Sequence, residues 1–463
     1  MNVYNTLSRA KEPLVAINKE LKLFVCGPTV YDFAHIGHAR SYTVYDVIVK
    51  YLRYKGFKVK YIQNITDIDD KIINRAKELG KEPADLAKQF EQAYYEDMAS
   101  LGINSVDAYL PASKHIPEII SQIQRLLEKG YAYVAPDGVW FDVQKFKDYG
   151  KLSKQNIEEL KKHRIEPSQY KKFFADFSLW KAQKPGEPAW DSPWGKGRPG
   201  WHIEDTAIAE KYFGPQYDMH GGGQDLIFPH HEAEIAQMEA LSGKSPMVRY
   251  WLHNGFLLVN GEKMSKSLGN FVTIRDALKE WSAEVLRLFF LSTHYRAPIN
   301  YSKEALLNAK RNYAKLQAFV HRLNSYRTEA VEVKEQADVW IKDFTEHFEA
   351  AMDDDFNTPL ALSTLHAFMT KVNAALDKKS LDKKSITKIK RVLGKIDAIF
   401  GLGLKKLKLP KLAKADLELI KKRELARAQK DWKTADEIRA QLKSKGIILE
   451  DTEFGVLWRI EKM

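Results

Sequence analysis

Leu21-Lys22-Leu23-Phe24-Val25-Cys26-Gly27-Pro28 is a short, mostly apolar run that stops at a Gly-Pro pair, as a buried strand does. From Gly37 onward Val44, Val47, Ile48, Tyr51 and Leu52 recur at helical spacing. That pattern closes at Lys55-Gly56, a basic last turn and a glycine stop. Phe57-Lys58-Val59-Lys60-Tyr61-Ile62 then alternates as a second strand. Strand, helix and strand in about 40 residues form a βαβ unit, which implies a parallel sheet with a right-handed crossover. Ligands of such sheets sit beyond the carboxyl ends of the strands. Cys26 and residues 28–38 therefore stand at the mouth of a crevice.

Working outward, residues 107–199 are irregular, with a hairpin expected across residues 133–141 and Pro/Gly/Trp-rich loops. They read as an insertion into the sheet domain. The apolar run from Trp251 to Val259, followed by Asn260-Gly261, reads as a return strand and turn. Beyond about residue 280 the pattern is helical. Lys405, Lys406, Lys408, Lys411 and Lys414 with Pro410 look like a solvated linker, and the last stretch reads as a helix pair followed by two short strands.

The 463 residues suffice for two to four domains. Lys and Arg number 73 against 61 Asp and Glu, a formal charge of +12. Such an excess suits a polyanionic partner, and equally a lysine-rich soluble protein. Cys26 is the single cysteine, so no intrachain disulfide can form, which fits a reducing compartment. No apolar run approaches the roughly 20 residues of a membrane helix. The start, Met1-Asn2-Val3-Tyr4-Asn5-Thr6, lacks the pattern of a signal peptide. The expectation is a cytoplasmic protein with no membrane contact.

Three constellations carry chemistry. His35-Ile36-Gly37-His38 opens the first helix, where imidazoles, a closely approaching glycine and the positive helix end can hold a triphosphate. Alone, it is equally an ordinary helix start. Lys263-Met264-Ser265-Lys266-Ser267 follows a strand, and its lysines and hydroxyls can neutralise phosphate oxygens, although a solvated basic loop has the same spelling. His230 and Glu234 are four apart and share a helix face, with Pro229 near the first helical position. With Cys26 they offer nitrogen, oxygen and sulfur ligands for zinc. A helix whose polar face merely holds His and Glu is the plainer alternative.

The first two motifs, in this order, resemble the paired signatures of class I aminoacyl-tRNA synthetases. Residues 24–32, 64–71, 200–204 and 221–234, together with Asp355-Phe356-Asn357-Thr358-Pro359 and Glu450-Asp451-Thr452, are similar to the cysteinyl-tRNA synthetase family in particular. The resemblance implies an α/β fold: a Rossmann-like parallel-sheet catalytic domain with an insertion, then a mainly α-helical tRNA-binding region and a small C-terminal α+β piece. The implied division is residues 1–106 with 200–280 (catalytic), 107–199 (insertion), 281–330 (stem-contacting helices), 331–404 (anticodon-binding helices) and 405–463 (basic linker and terminal domain).

It also implies ATP-dependent joining of L-cysteine to tRNA(Cys) through a cysteinyl-adenylate, by a monomer using Mg2+ with its ATP. His35 and His38 would contact phosphates beside Pro28 and Gly37, Asp225 would sit near the ribose, and Lys266 with Lys263 would stabilise the transition state. Zinc would grip the substrate thiolate. Cys26, His230 and Glu234 match three of the family's zinc ligands, Thr66 and Trp201 match its amino-acid pocket, and His202 and His231 lie nearby. The fourth ligand departs, because Asp205 stands where the family usually has cysteine. The implied zinc site is Cys26, Asp205, His230 and Glu234. Two other readings compete: a ligase joining cysteine to an amino sugar, and a catalytically inactive synthetase-like RNA-binding protein.

Overall fold

A computed structural model describes the chain except residues 18, 156–167, 266–267, 327–336, 405–411, 453–454 and 461–463. Lys266 and most of the lysine-rich linker lie outside the described residues. The chain packs as two units, Met1–Ser302 with Ala350–Leu360, and Lys303–Glu349 with Ala361–Met463.

The first unit opens with an antiparallel ribbon, β1 (Asn2–Asn5) and β2 (Ala10–Pro13). The expected strand, helix and strand follow as β3 (Glu20–Val25), α1 (Ile36–Tyr54) and β4 (Lys58–Ile65). Helices α2 (Asp70–Leu79) and α3 (Pro83–Ser100) lead to β5 (Ala108–Pro111). This strand pairs in parallel with β4, so the sheet reaches into the stretch read above as insertion. Next come α4 (Ile116–Glu128) and an antiparallel sheet of β6 (Ala132–Ala135), β7 (Gly138–Phe141), β8 (Phe177–Ala182) and β9 (Gly197–Pro199). The expected hairpin is β6–β7. The chain then returns through α5 (Ile203–Phe213), β10 (Tyr217–Gly223), α6 (Glu232–Ser242) and β11 (Val248–Asn254).

The main sheet is parallel, in the order β11-β10-β3-β4-β5. Its strands are apolar almost throughout because helices cover both faces; Leu21, Leu23, Phe24, Val25, Tyr61 and Ile62 are all fully buried. Strand order reverses between β3 and β10, so a crevice opens beyond their carboxyl ends. Cys26 and Gly221 meet there, the Cys26 N–H donating to the Gly221 carbonyl at 3.1 Å.

One expectation needs correction. The run from Trp251 to Val259 is two strands, broken at Gly255: β11 ends at Asn254, and β12 (Leu257–Val259) joins a different sheet with β13 (Glu262–Lys263) and β14 (Ile299–Tyr301). The Gly255 N–H donates to the Tyr295 carbonyl at 2.8 Å, which pulls the chain away from the parallel sheet. Phe228 is extended (φ −136°, ψ 133°) and is the single non-helical residue of 227–231, so helical backbone starts at Pro229, as expected, and runs through a wider turn into α6 at Glu232.

Between β13 and β14 lie α7 (Ile274–Glu280) and α8 (Ala283–Leu291). The second unit is helical, built from α9 (Lys303–Ser325), α10 (Ala337–Asp353), α11 (Thr358–Asp377), α12 (Lys383–Phe400), α13 (Lys414–Ala428) and α14 (Trp432–Ser444), with the end of α10 and the start of α11 belonging to the first. It ends in an antiparallel pair, β15 (Ile447–Thr452) and β16 (Gly455–Ile460), the two terminal strands read from the sequence. Among the described residues no helix is long and apolar enough to cross a membrane.

Candidate active site

His35 caps α1. Its Nδ1 accepts from the N–H groups of Gly37 (3.1 Å) and His38 (3.4 Å), and its ring stacks on that of His38 with centroids 3.8 Å apart. Glycine is required at 37, since a Cβ there would stand 2.8 Å from the His35 ring. Burial first, then His35 and Lys71, hold His38 well below the usual imidazole range. A neutral His38 can donate to an oxyanion without bringing charge of its own.

The two histidines line a cleft of about 350 Å3 together with Pro28, Gly37, Trp201, Asp225, Lys263 and, at its floor, Cys26. Eight site residues from four separate stretches of sequence thus share one space. Lys263 is exposed on β13, its Nζ 6.0 Å from the centre of the Phe256 ring.

Behind the floor the polar density rises sharply. His230 Nε2 lies 3.1 Å from Asp205 Oδ2 and 3.1 Å from Glu234 Oε1, while Cys26 Sγ is 3.9 Å from Glu234 Oε1. All four side chains are buried, and their ligand atoms lie within 4.8 Å of one another. The other nitrogen of His230 is 2.8 Å from His202 Nδ1, and Trp201, which lines the cleft, stacks on the His230 ring at 4.2 Å. Helix α6 is buried all round, so each carboxylate on it needs a partner. Glu232 accepts from the backbone of Leu152 and Ser153, and Glu239 pairs with Lys151. Glu234 Oε2 and Asp205 Oδ1 make no hydrogen bond among the described residues, although His220 Nε2 stands 3.6 Å from the former.

Orphaned buried carboxylate oxygens are expensive unless a cation meets them. Burial, Asp205 and Glu234 together push the Cys26 thiol well above its ordinary range, so without a cation it stays protonated. The donor set of one sulfur, one nitrogen and two oxygens fits a divalent metal. A second group shares Cys26 and Glu234 and adds His220 and His231, whose Nε2 atoms lie 3.3 Å and 3.1 Å from Cys26 Sγ. Only the first group draws on Asp205, a buried carboxylate with one oxygen that no hydrogen bond meets among the described residues.

Sequence reading missed His220, Glu204 and His253. Tyr217 holds His220 Nδ1 (2.6 Å), and His253 holds His231 Nδ1 (2.7 Å). Glu204, buried, accepts from Thr66 Oγ1 and Asn64 Nδ2, and Asn64 Oδ1 in turn accepts the Gly27 N–H at 2.5 Å. Thr66 is therefore beside the floor, with its hydroxyl turned to Glu204. The available signal was His220 immediately before Gly221-Gly222-Gly223, in the middle of the strand that these glycines complete.

A parallel sheet with a phosphate-type helix start, a basic hairpin and a metal-type chamber at its switch point is the catalytic architecture of a class I synthetase. The comparisons agree. Residues 13–311 match the family described as tRNA synthetases class I (C) catalytic domain, residues 347–405 the DALR domain and residues 409–459 the cysteinyl-tRNA ligase anticodon binding domain. A cysteine–tRNA ligase of Thermodesulfovibrio yellowstonii is 48% identical, with 100% of both chains covered, and one of Bacillus licheniformis is 47% identical over 99% of each. Methionyl-tRNA synthetase of Mycobacterium tuberculosis, solved with methionyl-adenylate, shares the fold at 15% identity (TM-score 0.64, 84% of this chain and 93% of that one). The chain belongs to the cysteine–tRNA ligase family.

Proposed function

We propose that the protein joins L-cysteine to tRNA(Cys) at the expense of ATP, by way of a cysteinyl-adenylate. The observation that carries this reading is the single cleft with His35, His38 and Lys263 at its mouth and the buried Cys26 group behind its floor. The cysteine carboxylate attacks the α-phosphorus of ATP, a P–O bond breaks, and pyrophosphate leaves. The adenylate's acyl group then passes to a terminal ribose hydroxyl of the tRNA, releasing AMP. Neither step needs a protein nucleophile, so catalysis is positioning plus charge stabilisation.

His35 and His38 would hold phosphate oxygens beside Pro28 and Gly37, with Asp225 toward the ribose. Lys263 and Lys266 would offset charge on the departing pyrophosphate, whose Mg2+ arrives with ATP. Cys26, Asp205, His230 and Glu234 would hold zinc, which supplies a preference for a thiolate over an alcohol. Trp201, Thr66, His202 and His231 would enclose the amino acid. Residues 281–330 would meet the tRNA stem, and residues 331–404 would bind the anticodon together with residues 409–459, which match the cysteinyl-tRNA ligase anticodon binding domain. The protein would act as a cytoplasmic monomer.

The amino-sugar ligase and the inactive binding protein are not favoured. Relatives match over the full length, anticodon domain included, and His35, His38 and Lys263 are in place. The test is ATP-dependent transfer of labelled cysteine to acid-precipitable tRNA. Label on tRNA supports the proposal, and label on an amino sugar alone would replace it.

A further inference from the structure

Arg40 lies two residues beyond His38 and is 1% exposed, yet among the described residues its guanidinium bonds only to backbone carbonyls. Its Nη1 donates to the carbonyls of Gly255 and Phe256, both at 2.7 Å. Its Nη2 donates to the carbonyls of Ala297 and, at 3.3 Å, Tyr295. One guanidinium thus gathers four neutral acceptors from two strand connections. Burial lowers it only to about 10, so it stays charged at neutral pH. A buried cation without an anion is unfavourable unless it does something else.

What it does is fix where the basic hairpin starts. Gly255 and Phe256 are the root of the segment that runs through β12 to Lys263. The connection is tight, because a Cβ on Gly255 would stand 2.5 Å from the Ala297 oxygen. The far end of the same segment is also tied to α1: the Ile36 N–H donates to the Val272 carbonyl (3.1 Å) and the Ile274 N–H to that of Ala34 (2.9 Å). The Lys263 segment is therefore clamped at both ends to the helix that begins with His35 and His38.

The 295–297 strip on which Arg40 pulls has its own anchor. Asp355, fully buried, accepts from Tyr295 Oη (2.8 Å), Arg296 Nε (2.7 Å) and the Tyr4 N–H (2.8 Å), and its own N–H donates to Asn2 (2.9 Å). Its backbone is left-handed, at φ +60°.

We propose that Arg40 is a positioning residue for adenylate formation, setting the spacing between the His35/His38 helix start and the Lys263 hairpin, with Asp355 holding the strip it grips. The inference rests on the ATP-binding reading of the cleft. Misplacement of about 1 Å between two gripping groups lowers rate on the order of 100-fold, and it acts on the transition state more than on ground-state binding.

The experiment is cysteine-dependent pyrophosphate exchange by the full chain, with wild type, Arg40→Gln, Arg40→Lys, Asp355→Asn, Lys263→Ala and the Arg40→Gln/Lys263→Ala double variant. Circular dichroism and melting are recorded on the same samples. R40Q should lower kcat roughly 100-fold while KM for cysteine stays within about threefold. R40K, which keeps charge and some donors, should recover part of the loss, and D355N should show a smaller loss of the same kind. In the Lys263→Ala background R40Q should add little, because its effect passes through that segment. Multiplicative losses in the double variant, or a change confined to KM for cysteine, would overturn the inference. So would full activity in R40Q beside an active wild type. If R40Q fails to fold, R40K and D355N carry the same cycle with Lys263→Ala. An inactive wild type would count against the proposed function instead.

Discussion

Asp205 presents Oδ2 3.1 Å from Nε2 of His230, which joins it to the buried group that could hold a metal ion. Its orphaned Oδ1 strengthens the case that a cation belongs beside it. Asp205→Ala should strip the metal, exceeding the roughly 10–100-fold loss of affinity typical for outer partners of a ligand. Asp205→Cys should keep it and hold it longer against a chelator, since sulfur is the softer donor. Metal per chain, measured before and after chelation, decides this. Stoichiometric retention in Asp205→Ala would remove Asp205 from the set.

His35 has two duties that one substitution can separate. As the cap of α1 it accepts from Gly37 and His38, a role that asparagine fills well. His35→Asn should melt within about 1 kcal/mol of the wild type. It should nonetheless exchange pyrophosphate poorly, because the imidazole at the cleft mouth is gone. Normal exchange in that variant would mean the residue only caps.

Asp46 supplies a pH signature. Burial raises its carboxyl, but Arg287 at 2.7 Å and Lys50 outweigh it and hold the group below its ordinary value. A depressed folded pKa stabilises above the unfolded value, near 3.9, and that contribution is lost as pH falls through the folded one. Asp46→Asn leaves Arg287 buried without its anion and should cost about 3–5 kcal/mol at pH 7. Chemical denaturation from pH 7 downward should show the gap between variant and wild type closing below about pH 4. A gap independent of pH would assign the effect to packing.

The structure also decides where the chain can be cut. Residues 350–360 pack with the first unit, and Asp355 anchors the strip that Arg40 binds. Ending the chain at 360 should spare pyrophosphate exchange and abolish charging of tRNA. Ending it at 320 removes Asp355 and should lower exchange as well. Equal exchange by both truncations would deny Asp355 that role.

The first strand, helix and strand were legible because a parallel strand buried on both faces is an unbroken apolar run, and the helix after it shows its period plainly. The N-terminal ribbon was not legible, since Asn2–Asn5 and Ala10–Pro13 are four residues each and half polar. The break at Gly255 also escaped notice: Trp251 to Val259 is continuous in pattern, and the bend is imposed by residues 295–297, some forty positions later. The cleft could be assembled from motif order. The contacts of Glu204 and His220 could not, because they converge from separate strands and helices, and nothing in local spelling records a distance.

The most direct test of the central claim is exchange of labelled pyrophosphate into ATP, driven by cysteine with serine as control, on protein whose metal content is measured in the same sample. Strong exchange with cysteine, negligible exchange with serine and close to one zinc per chain is the expected result. Absence of exchange on metal-loaded protein, or equal exchange with serine, would contradict it.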